Sequence, residues 1–133
     1  ILAKLEAHQA GCLEAVMLNR EGYVAECTGD NLFIVRNGPL CTPSPIHGAL
    51  EGITMQTVLE IAAGFSMEAH AKALTPYDLY TADECFMTGT GAEIMPVIRI
   101  DGRTIGTGRP GAVTSRIRDR FREMVADPCR FKD

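Results

Sequence analysis

The sequence is poor in several residue types and patterns that mark particular protein classes. Its 133 residues include no tryptophan, and the formal net charge is -4 at pH 7. A general nucleic-acid-binding protein usually carries a basic surface, so this charge argues against that class. No apolar run approaches the length that crosses a membrane. The composition therefore predicts a globular protein that binds neither nucleic acid nor membrane.

The cysteines and histidines lack the spacings of a metal site or a disulfide framework. The three histidines lie far apart, and the five cysteines are scattered without a C-x-x-C pair: Cys12, Cys27, Cys41, Cys85 and Cys129. This pattern predicts neither a zinc site nor paired disulfides. We therefore expect no metal, and a reducing, cytoplasmic compartment.

Strand and helix patterns alternate along the chain without a repeat or a linker. Helical patterns cover residues 1–10, 52–63 and 110–126, and Thr75-Pro76 begins a short helix. Strand patterns cover residues 13–18, 23–25, 32–36, 39–42, 67–73, 84–87 and 94–100. Asn37-Gly38 and Asp101-Gly102 are typical hairpin turns. A chain of this length fits one domain, so the sequence predicts a single α+β domain over residues 1–133.

Three finer predictions follow from the same patterns. Alternation in residues 67–73 predicts a half-buried strand. Pro43-Ser44-Pro45 predicts a rigid connection that continues neither neighbouring element. The spacing of five apolar residues predicts one inward face of the last helix: Val113, Ile117, Phe121, Met124 and Val125.

The stretch from Glu26 to Phe33 carries the first chemical signal. Glu26 follows the extended run 23–25 and precedes a glycine-containing bend, which predicts a carboxylate at the end of a buried strand. A buried carboxylate needs a cationic or proton-donating partner, and a protonated ring nitrogen of a cofactor would serve. The alternative is a turn carboxylate that caps backbone N–H groups. This stretch alone does not decide between them.

Two further segments could bind an anion. Residues 50–54 place a glycine and a hydroxyl at the start of a helix, where free N–H groups attract phosphate. Residues 88–91, Thr-Gly-Thr-Gly, follow a strand and can form a backbone concavity. Neither segment matches a Walker or dinucleotide fingerprint, and a capped helix or a tight turn is the alternative for each. Together with a buried acid, they suit a phosphate-bearing heterocycle such as pyridoxal phosphate.

Four motifs occur in an order and spacing that resemble a known family. They are Glu26-x-x-x-x-Asn31-Leu32-Phe33, Leu50-x-Gly52-Ile53-Thr54, residues 86–97 (FMTGTGAEIMPV) and residues 105–114 (IGTGRPGAVT). The chain resembles the class IV (fold type IV) pyridoxal-phosphate aminotransferases, and among them the branched-chain amino-acid aminotransferases. The resemblance covers nearly the whole chain. It implies the large C-terminal domain of such an enzyme, with strands in a pseudo-barrel-like sheet and flanking helices.

The resemblance also implies roles for particular residues. Glu26 would pair with the pyridine nitrogen, and Leu50 would pack against the ring. Ile53, Thr54 and Thr90 would hold the phosphate, and Gly52 and Gly89 would be further cofactor-binding residues. Thr90 and Gly91 would bind the substrate carboxylate. The family often has alanine where Gly91 stands, so this loop is expected to be looser here.

The family's Schiff-base lysine has no counterpart at a matching position of this chain. The resemblance implies that it lies upstream of Ile1, together with an N-terminal small domain. Lys4 falls on the helix after that lysine and is interpreted as a solvated helix residue, and Lys72 lies on a surface-strand pattern. A transaminase needs such a lysine amine. We therefore expect no catalytic residue in the chain itself, and no activity from it alone.

The resemblance implies a complete protein that transfers the amino group of leucine, isoleucine or valine to 2-oxoglutarate. It also implies a homodimer or higher oligomer, with amino acids and 2-oxo acids as its small-molecule partners. The alternatives within the family are a D-amino-acid transaminase or an aminodeoxychorismate lyase. A non-catalytic binding or assembly module is the alternative outside enzymology, because the lysine is missing.

The arginines near the end of the sequence raise one further alternative, nucleic-acid binding. They are Arg116, Arg118, Arg120, Arg122 and Arg130. Acidic residues are interleaved with them, which favours a solvated helix surface.

Overall fold

The computed structural model describes residues 1–89, 91, 93–127 and 129. Thr90, Ala92 and Arg130, which the sequence analysis names, lie outside the described residues. Four α-helices are formed: α1 (Leu2–Gln9), α2 (Ile53–Gly64), α3 (Pro76–Tyr80) and α4 (Ala112–Ala126). Nine strands are described: β1 (Val16–Leu18), β2 (Val24–Cys27), β3 (Asn31–Val35), β4 (Leu40–Pro43), β5 (Ala69–Lys72), β6 (Glu84–Gly89), β7 (Glu93–Pro96), β8 (Arg99–Ile100) and β9 (Arg103–Thr104).

The central feature is a five-stranded sheet in the order β5-β4-β3-β6-β7. Its neighbours are antiparallel except β4 and β5, which are parallel. The β1–β2 and β8–β9 pairs form separate antiparallel hairpins. The α+β class predicted from the sequence is confirmed.

Both faces of the central sheet are covered. On one face α2 and α4 pack over an apolar cluster that contains Phe33, Val58 and Ile117. On the other face lies a second cluster, which contains Leu32 and Leu79. All five residues of β3 are therefore buried, because alternate side chains enter different cores.

The turn chemistry matches the sequence predictions. Asn37 and Gly38 have φ of 55° and 115°, and Asp101 and Gly102 have φ of 51° and 75°. Positive φ at both central residues is the hairpin geometry that Asn-Gly and Asp-Gly favour. The short helix α3 begins with a capping box between Thr75 and Asp78.

Several finer predictions are wrong. All four residues of β5 are exposed, and β5 is an edge strand of the sheet. Residues 94–100 form two strands, since β7 pairs with β6 whereas β8 pairs with β9. Pro43 belongs to β4 and so continues the preceding element.

The predicted apolar face of the last helix also differs. Val125 is 47% exposed, although the spacing predicts that it points inward. The apolar residues at the start of α1, Leu2 and Leu5, are exposed, and only Ala7 of this helix is buried. Within the described residues, no helix has the length and apolar character needed to cross a membrane. The same residues contain no group of three or more His, Cys, Asp or Glu side chains that could hold a metal ion.

Candidate functional site

The carboxylate of Glu26 lies at the end of β2, close to the loop before α2. It is half-buried rather than enclosed, and one of its oxygens accepts a hydrogen bond of 2.9 Å from the backbone N–H of Leu50. The side chain of Leu50 is 71% exposed and that of Ile53 is 81% exposed. Two large apolar side chains therefore face solvent beside an acid, an arrangement that suits a ligand with an apolar face and a basic edge.

The N-terminus of α2 is open. Gly52 is the N-cap residue, it supplies no side-chain cap, and no acidic side chain lies in the first turn. Within the part of the chain that the structure describes, the backbone N–H groups of Ile53 and Thr54 have no acceptor. Free N–H groups and the partial positive charge of a helix start favour an anion. The first predicted anion segment therefore has the geometry that the prediction needs.

Asn31, the first residue of β3, supports this loop from below. Its side-chain amide donates a hydrogen bond of 2.6 Å to the carbonyl oxygen of Leu50. A Cβ placed on Gly52 would overlap the side-chain oxygen of Asn31. The φ of Gly52 is −71°, which any residue can adopt. A larger residue here would therefore displace the end of the Asn31 side chain, although the backbone conformation itself would accept it.

Gly89, at the end of β6, is in a similar situation. A Cβ on Gly89 would overlap a side-chain oxygen of Asp30, the residue before Asn31. One residue earlier in β6, Thr88 pairs directly with Asn31 across the β3–β6 ladder. Its side chain is 1% exposed, and its hydroxyl has no hydrogen-bond partner among the described residues. A buried hydroxyl without a partner is uncommon and calls for an explanation.

A third carboxylate, Glu14, lies beneath the turn between β2 and β3. It accepts hydrogen bonds from the backbone N–H groups of Ala15 and Thr28, from the Thr28 hydroxyl, and from Lys4 at 2.8 Å. Burial would raise the pKa of Glu14, but these hydrogen bonds lower it from 4.5 to about 2. Burial, and then the charge of Glu14, raise the pKa of Asp30. This turn is thus fixed by an ionised carboxylate.

The pairing of Lys4 differs from the prediction of a solvated residue. Its side chain is 41% exposed, and its ammonium group forms an ion pair with Glu14. It also donates a hydrogen bond to the carbonyl oxygen of Leu13. Because these contacts tie the amine to residues 13–14, ahead of β1, Lys4 has a structural role. Lys72 lies on the exposed edge strand β5.

An apolar cleft of about 880 Å³ lies elsewhere on the molecule, between α1, the β1 hairpin and β7–β8. Its lining includes Leu13, Val16, Leu18, Met95 and Ile98. Most of these side chains are partly or largely exposed. An apolar surface of this size on a folded chain usually contacts another polypeptide segment or a ligand.

The buried cysteines are unreactive core residues. Burial raises the pKa of the Cys27 thiol to about 12, and burial likewise raises that of Cys85. Such thiols are not nucleophiles at neutral pH.

The structure therefore brings several of the predicted site residues together. Glu26 contacts Leu50; Gly52 and the exposed Ile53 follow at the start of α2 with Thr54 buried behind them, and Gly89 lies close to Asp30 in the adjoining turn. Gly91 is exposed, and Thr90 lies outside the described residues. Sequence reasoning did not assign roles to Asn31, Asp30 and Thr88. The signal for Asn31 was a polar residue opening an otherwise apolar strand.

Comparison with known proteins gives a consistent result. The family described as amino-transferase class IV matches residues 1–100. The branched-chain-amino-acid aminotransferase of Pseudomonas aeruginosa is 43% identical over 126 residues, which cover 95% of this chain and 41% of that protein.

Solved structures resemble the chain to the same degree. The branched-chain aminotransferase of Thermoproteus uzoniensis, with norvaline, matches with a TM-score of 0.89 and 46% identity over 93% of this chain and 41% of that one. The branched-chain amino acid aminotransferase of Thermobaculum terrenum, in its PLP-form, matches with a TM-score of 0.89 and 42% identity over 93% of this chain and 41% of that one. The chain thus spans less than half the length of these relatives.

Proposed function

Because the chain belongs to the class IV aminotransferase family, we propose that it is the cofactor-binding domain of a branched-chain amino-acid aminotransferase. The complete protein would use pyridoxal phosphate to transfer the amino group of leucine, isoleucine or valine to 2-oxoglutarate. The observation that carries this proposal is the single surface on which Glu26, Leu50 and the open start of α2 meet.

The residues on this surface fit a phosphorylated pyridine. The free N–H groups of α2 suit the phosphate, and the exposed side chains of Leu50 and Ile53 suit the faces of an aromatic ring. One carboxylate oxygen of Glu26 accepts the Leu50 N–H. The other oxygen can accept a hydrogen bond from a protonated ring nitrogen. When bound, the cofactor supplies an electron sink for chemistry at the carbon bearing the amino group.

Each residue then has a defined task in the proposed enzyme. Glu26 holds a proton on the ring nitrogen, because a carboxylate at that position stabilises the positive charge. Leu50 covers one face of the ring and excludes water from it. Ile53 and Thr54, with Gly52, Gly89 and Thr90, bind the phosphate, and Thr90 and Gly91 bind the substrate carboxylate.

The lysine that would bind the cofactor covalently is proposed to lie in a part of the polypeptide outside these residues. Two observations support this. The Lys4 amine is paired with Glu14, and the relatives are more than twice as long as the chain. The apolar cleft beside α1 offers a surface against which further polypeptide could pack. We also propose that the complete protein is a homodimer or higher oligomer that works in the cytoplasm.

A different substrate within the family remains the second candidate, either a D-amino acid or aminodeoxychorismate. The proposal favours branched-chain substrates because the relatives described above carry that name at 43% and 46% identity. A non-catalytic module is less well supported, since its surface would have no reason to keep an open helix start beside Glu26.

The test is an absorbance and fluorescence titration with pyridoxal phosphate, on the chain alone and on the longer polypeptide. We expect saturable binding by the longer polypeptide and transfer of the amino group from leucine to 2-oxoglutarate. Glu26→Gln should reduce the transfer rate by at least about 100-fold, because the ring nitrogen loses its anionic partner. The matched control is Glu60→Gln, an exposed glutamate within α2. Absence of cofactor binding by the longer polypeptide would contradict the proposal.

A further inference from the structure

Two adjacent residues, Asp30 and Asn31, occupy the space that a side chain would need at two glycines, Gly52 at the start of α2 and Gly89 at the end of β6. The side-chain oxygen of Asn31 lies where a Cβ of Gly52 would be, and a side-chain oxygen of Asp30 lies where a Cβ of Gly89 would be. Neither glycine has the left-handed backbone that would itself require glycine. Gly52 and Gly89 therefore both pack directly against one dipeptide at the start of β3.

We propose that Asp30 and Asn31 form a positioning element that sets the start of α2 and the end of β6 relative to each other in the proposed phosphate site. This inference rests on the proposed function, and it assigns a role to residues that would not touch the cofactor themselves. Asn31 fixes the loop before α2, because its amide holds the Leu50 carbonyl while its oxygen fits against Gly52. Asp30 fixes the end of β6, because its carboxyl group fits against Gly89.

The rigidity of this dipeptide supports the role. The turn that carries Asp30 is closed by the Cys27 N–H, which donates to the Asp30 carbonyl at 2.8 Å, and by Glu14, which binds Thr28. Asn31 is 7% exposed and pairs across the ladder with Thr88. A displacement at the start of α2 would therefore be transmitted to the end of β6 through the short, fixed backbone of Asp30 and Asn31.

Thr88 provides an independent observation at the same place. It lies on the same sheet face as Asn31, its side chain is buried, and its hydroxyl has no partner in the described part of the chain. A group that would satisfy this hydroxyl belongs on the side of the sheet where α2 begins. This is what we expect of a site whose ligand completes its hydrogen bonds.

The test uses pairs of substitutions in the longer polypeptide, with the dissociation constant for pyridoxal phosphate as the main readout. A matched pair changes a glycine and the residue beside it, Gly52 with Asn31 or Gly89 with Asp30. A crossed pair takes one residue from each matched pair. Gly52→Ala and Asn31→Ala should each weaken binding by about 10-fold, because each misplaces the same loop. The double variant N31A/G52A should bind no more weakly than N31A, since the overlap is gone. Gly89→Ala and Asp30→Ala should behave in the same way as a pair.

The crossed pairs distinguish positioning from general destabilisation. In N31A/G89A and D30A/G52A, the two effects should multiply to about 100-fold, because one substitution displaces the start of α2 and the other displaces the end of β6. Gly29→Ala and Gly64→Ala are the controls, because a Cβ at either position meets no atom within 4 Å. Both controls should bind as the wild type does. The unfolding midpoint in urea is measured for every variant, and we expect the changes in affinity not to follow it.

The outcomes separate the two proposals. If the wild type fails to bind the cofactor, the proposed function is wrong and the inference falls with it. If the wild type binds but matched pairs multiply as crossed pairs do, only the positioning role is wrong. If affinities follow the unfolding midpoints throughout, Asp30 and Asn31 are simply structural. If a glycine variant does not fold, the matched double variant, in which the overlap is removed, is the deciding measurement.

Discussion

Two helices of this molecule begin in nearly the same way and end up in opposite chemical states. Both α2 and α4 have a glycine N-cap, Gly52 and Gly111, without a side-chain cap of its own. In both, the glycine leaves room for a polar side chain from the sheet, Asn31 below α2 and Glu84 below α4. The two supports stand on neighbouring antiparallel strands, β3 and β6.

The difference lies in what the supporting side chain does. Glu84 accepts hydrogen bonds from the N–H groups of Val113 and Thr114, at 3.0 and 2.7 Å, and one from the Thr114 hydroxyl at 2.6 Å. Asn31 instead donates to the carbonyl of Leu50 and leaves the first N–H groups of α2 open. One helix start is thus neutralised by the protein, whereas the other is available to an external anion. A carboxylate caps the start of α4, whereas the amide below α2 leaves that helix start uncapped.

The largest expected effect comes from opening the closed terminus. Glu84→Ala removes three hydrogen bonds, two of them to N–H groups at a helix start, and should lower the free energy of unfolding by about 2–3 kcal/mol. Urea unfolding measures this change. The exposed Glu60→Ala on α2 is the control and should change it by no more than about 0.5 kcal/mol. An unchanged stability of the Glu84 variant would show that water caps α4 equally well.

A second closed carboxylate, Glu14, predicts a dependence on pH. Its folded pKa of about 2 lies below the ordinary 4.5, so its contribution is complete above pH 4.5 and is lost as the pH falls towards 2. Allowing for the partial exposure of its partner Lys4, this loss should be about 1–2 kcal/mol. The measurement compares urea unfolding at pH 7 and pH 3 for the wild type and Glu14→Gln. The variant should lose less stability between the two pH values, and an equal loss would mean that Glu14 is not ionised in this way.

At the open terminus we expect an effect on binding rather than on folding. Thr54→Val removes a hydroxyl from the first turn of α2 and should weaken cofactor binding by about 10-fold, because one phosphate hydrogen bond is lost. Thr57→Val, one turn further along, is the matched control, since the Thr57 hydroxyl bonds to Ile53 within the helix. Equal losses of affinity in both variants would place the phosphate elsewhere.

The smallest effect comes from partly closing the open terminus. Gln56→Glu puts an acid on the exposed side of the first turn of α2 and should stabilise the chain by about 0.3 kcal/mol. The same charge repels phosphate and should weaken cofactor binding by about 2-fold to 3-fold, less at high salt. Ala63→Glu, at the other end of α2, is the control and should leave the affinity unchanged. Tighter binding by the Gln56 variant would contradict the role of this terminus.

Much of the fold followed from local sequence signals. Asn37-Gly38 and Asp101-Gly102 predicted two hairpins, and Thr75-Pro76 predicted the start of α3, because these signals act through the backbone of their own neighbours. The failures concern long-range context. The alternation in residues 67–73 predicted a buried face, but β5 is an edge strand, and no local pattern tells an edge from a centre.

The candidate site divides in the same way. The sequence identified Glu26 and residues 50–54 by residue type, and the structure brings them together. The roles of Asn31 and Glu84 could not be predicted, because each depends on a glycine that is distant in the chain and adjacent in space. A glycine can serve either its backbone conformation or a position with little space for a Cβ. Only the spatial neighbours show which of the two applies.

The β3–β6 ladder has a consequence for the order in which the molecule folds. It joins Asn31 to Thr88, two residues far apart in sequence, and Asp30 and Asn31 lie against Gly89 at the end of β6 and Gly52 at the start of α2. Closing so long a loop is slow, because its entropic cost comes before the contacts it creates can stabilise the chain. We therefore expect the proposed phosphate site to form late in folding. A cofactor bound there would slow unfolding and raise the melting temperature, but it would not speed folding.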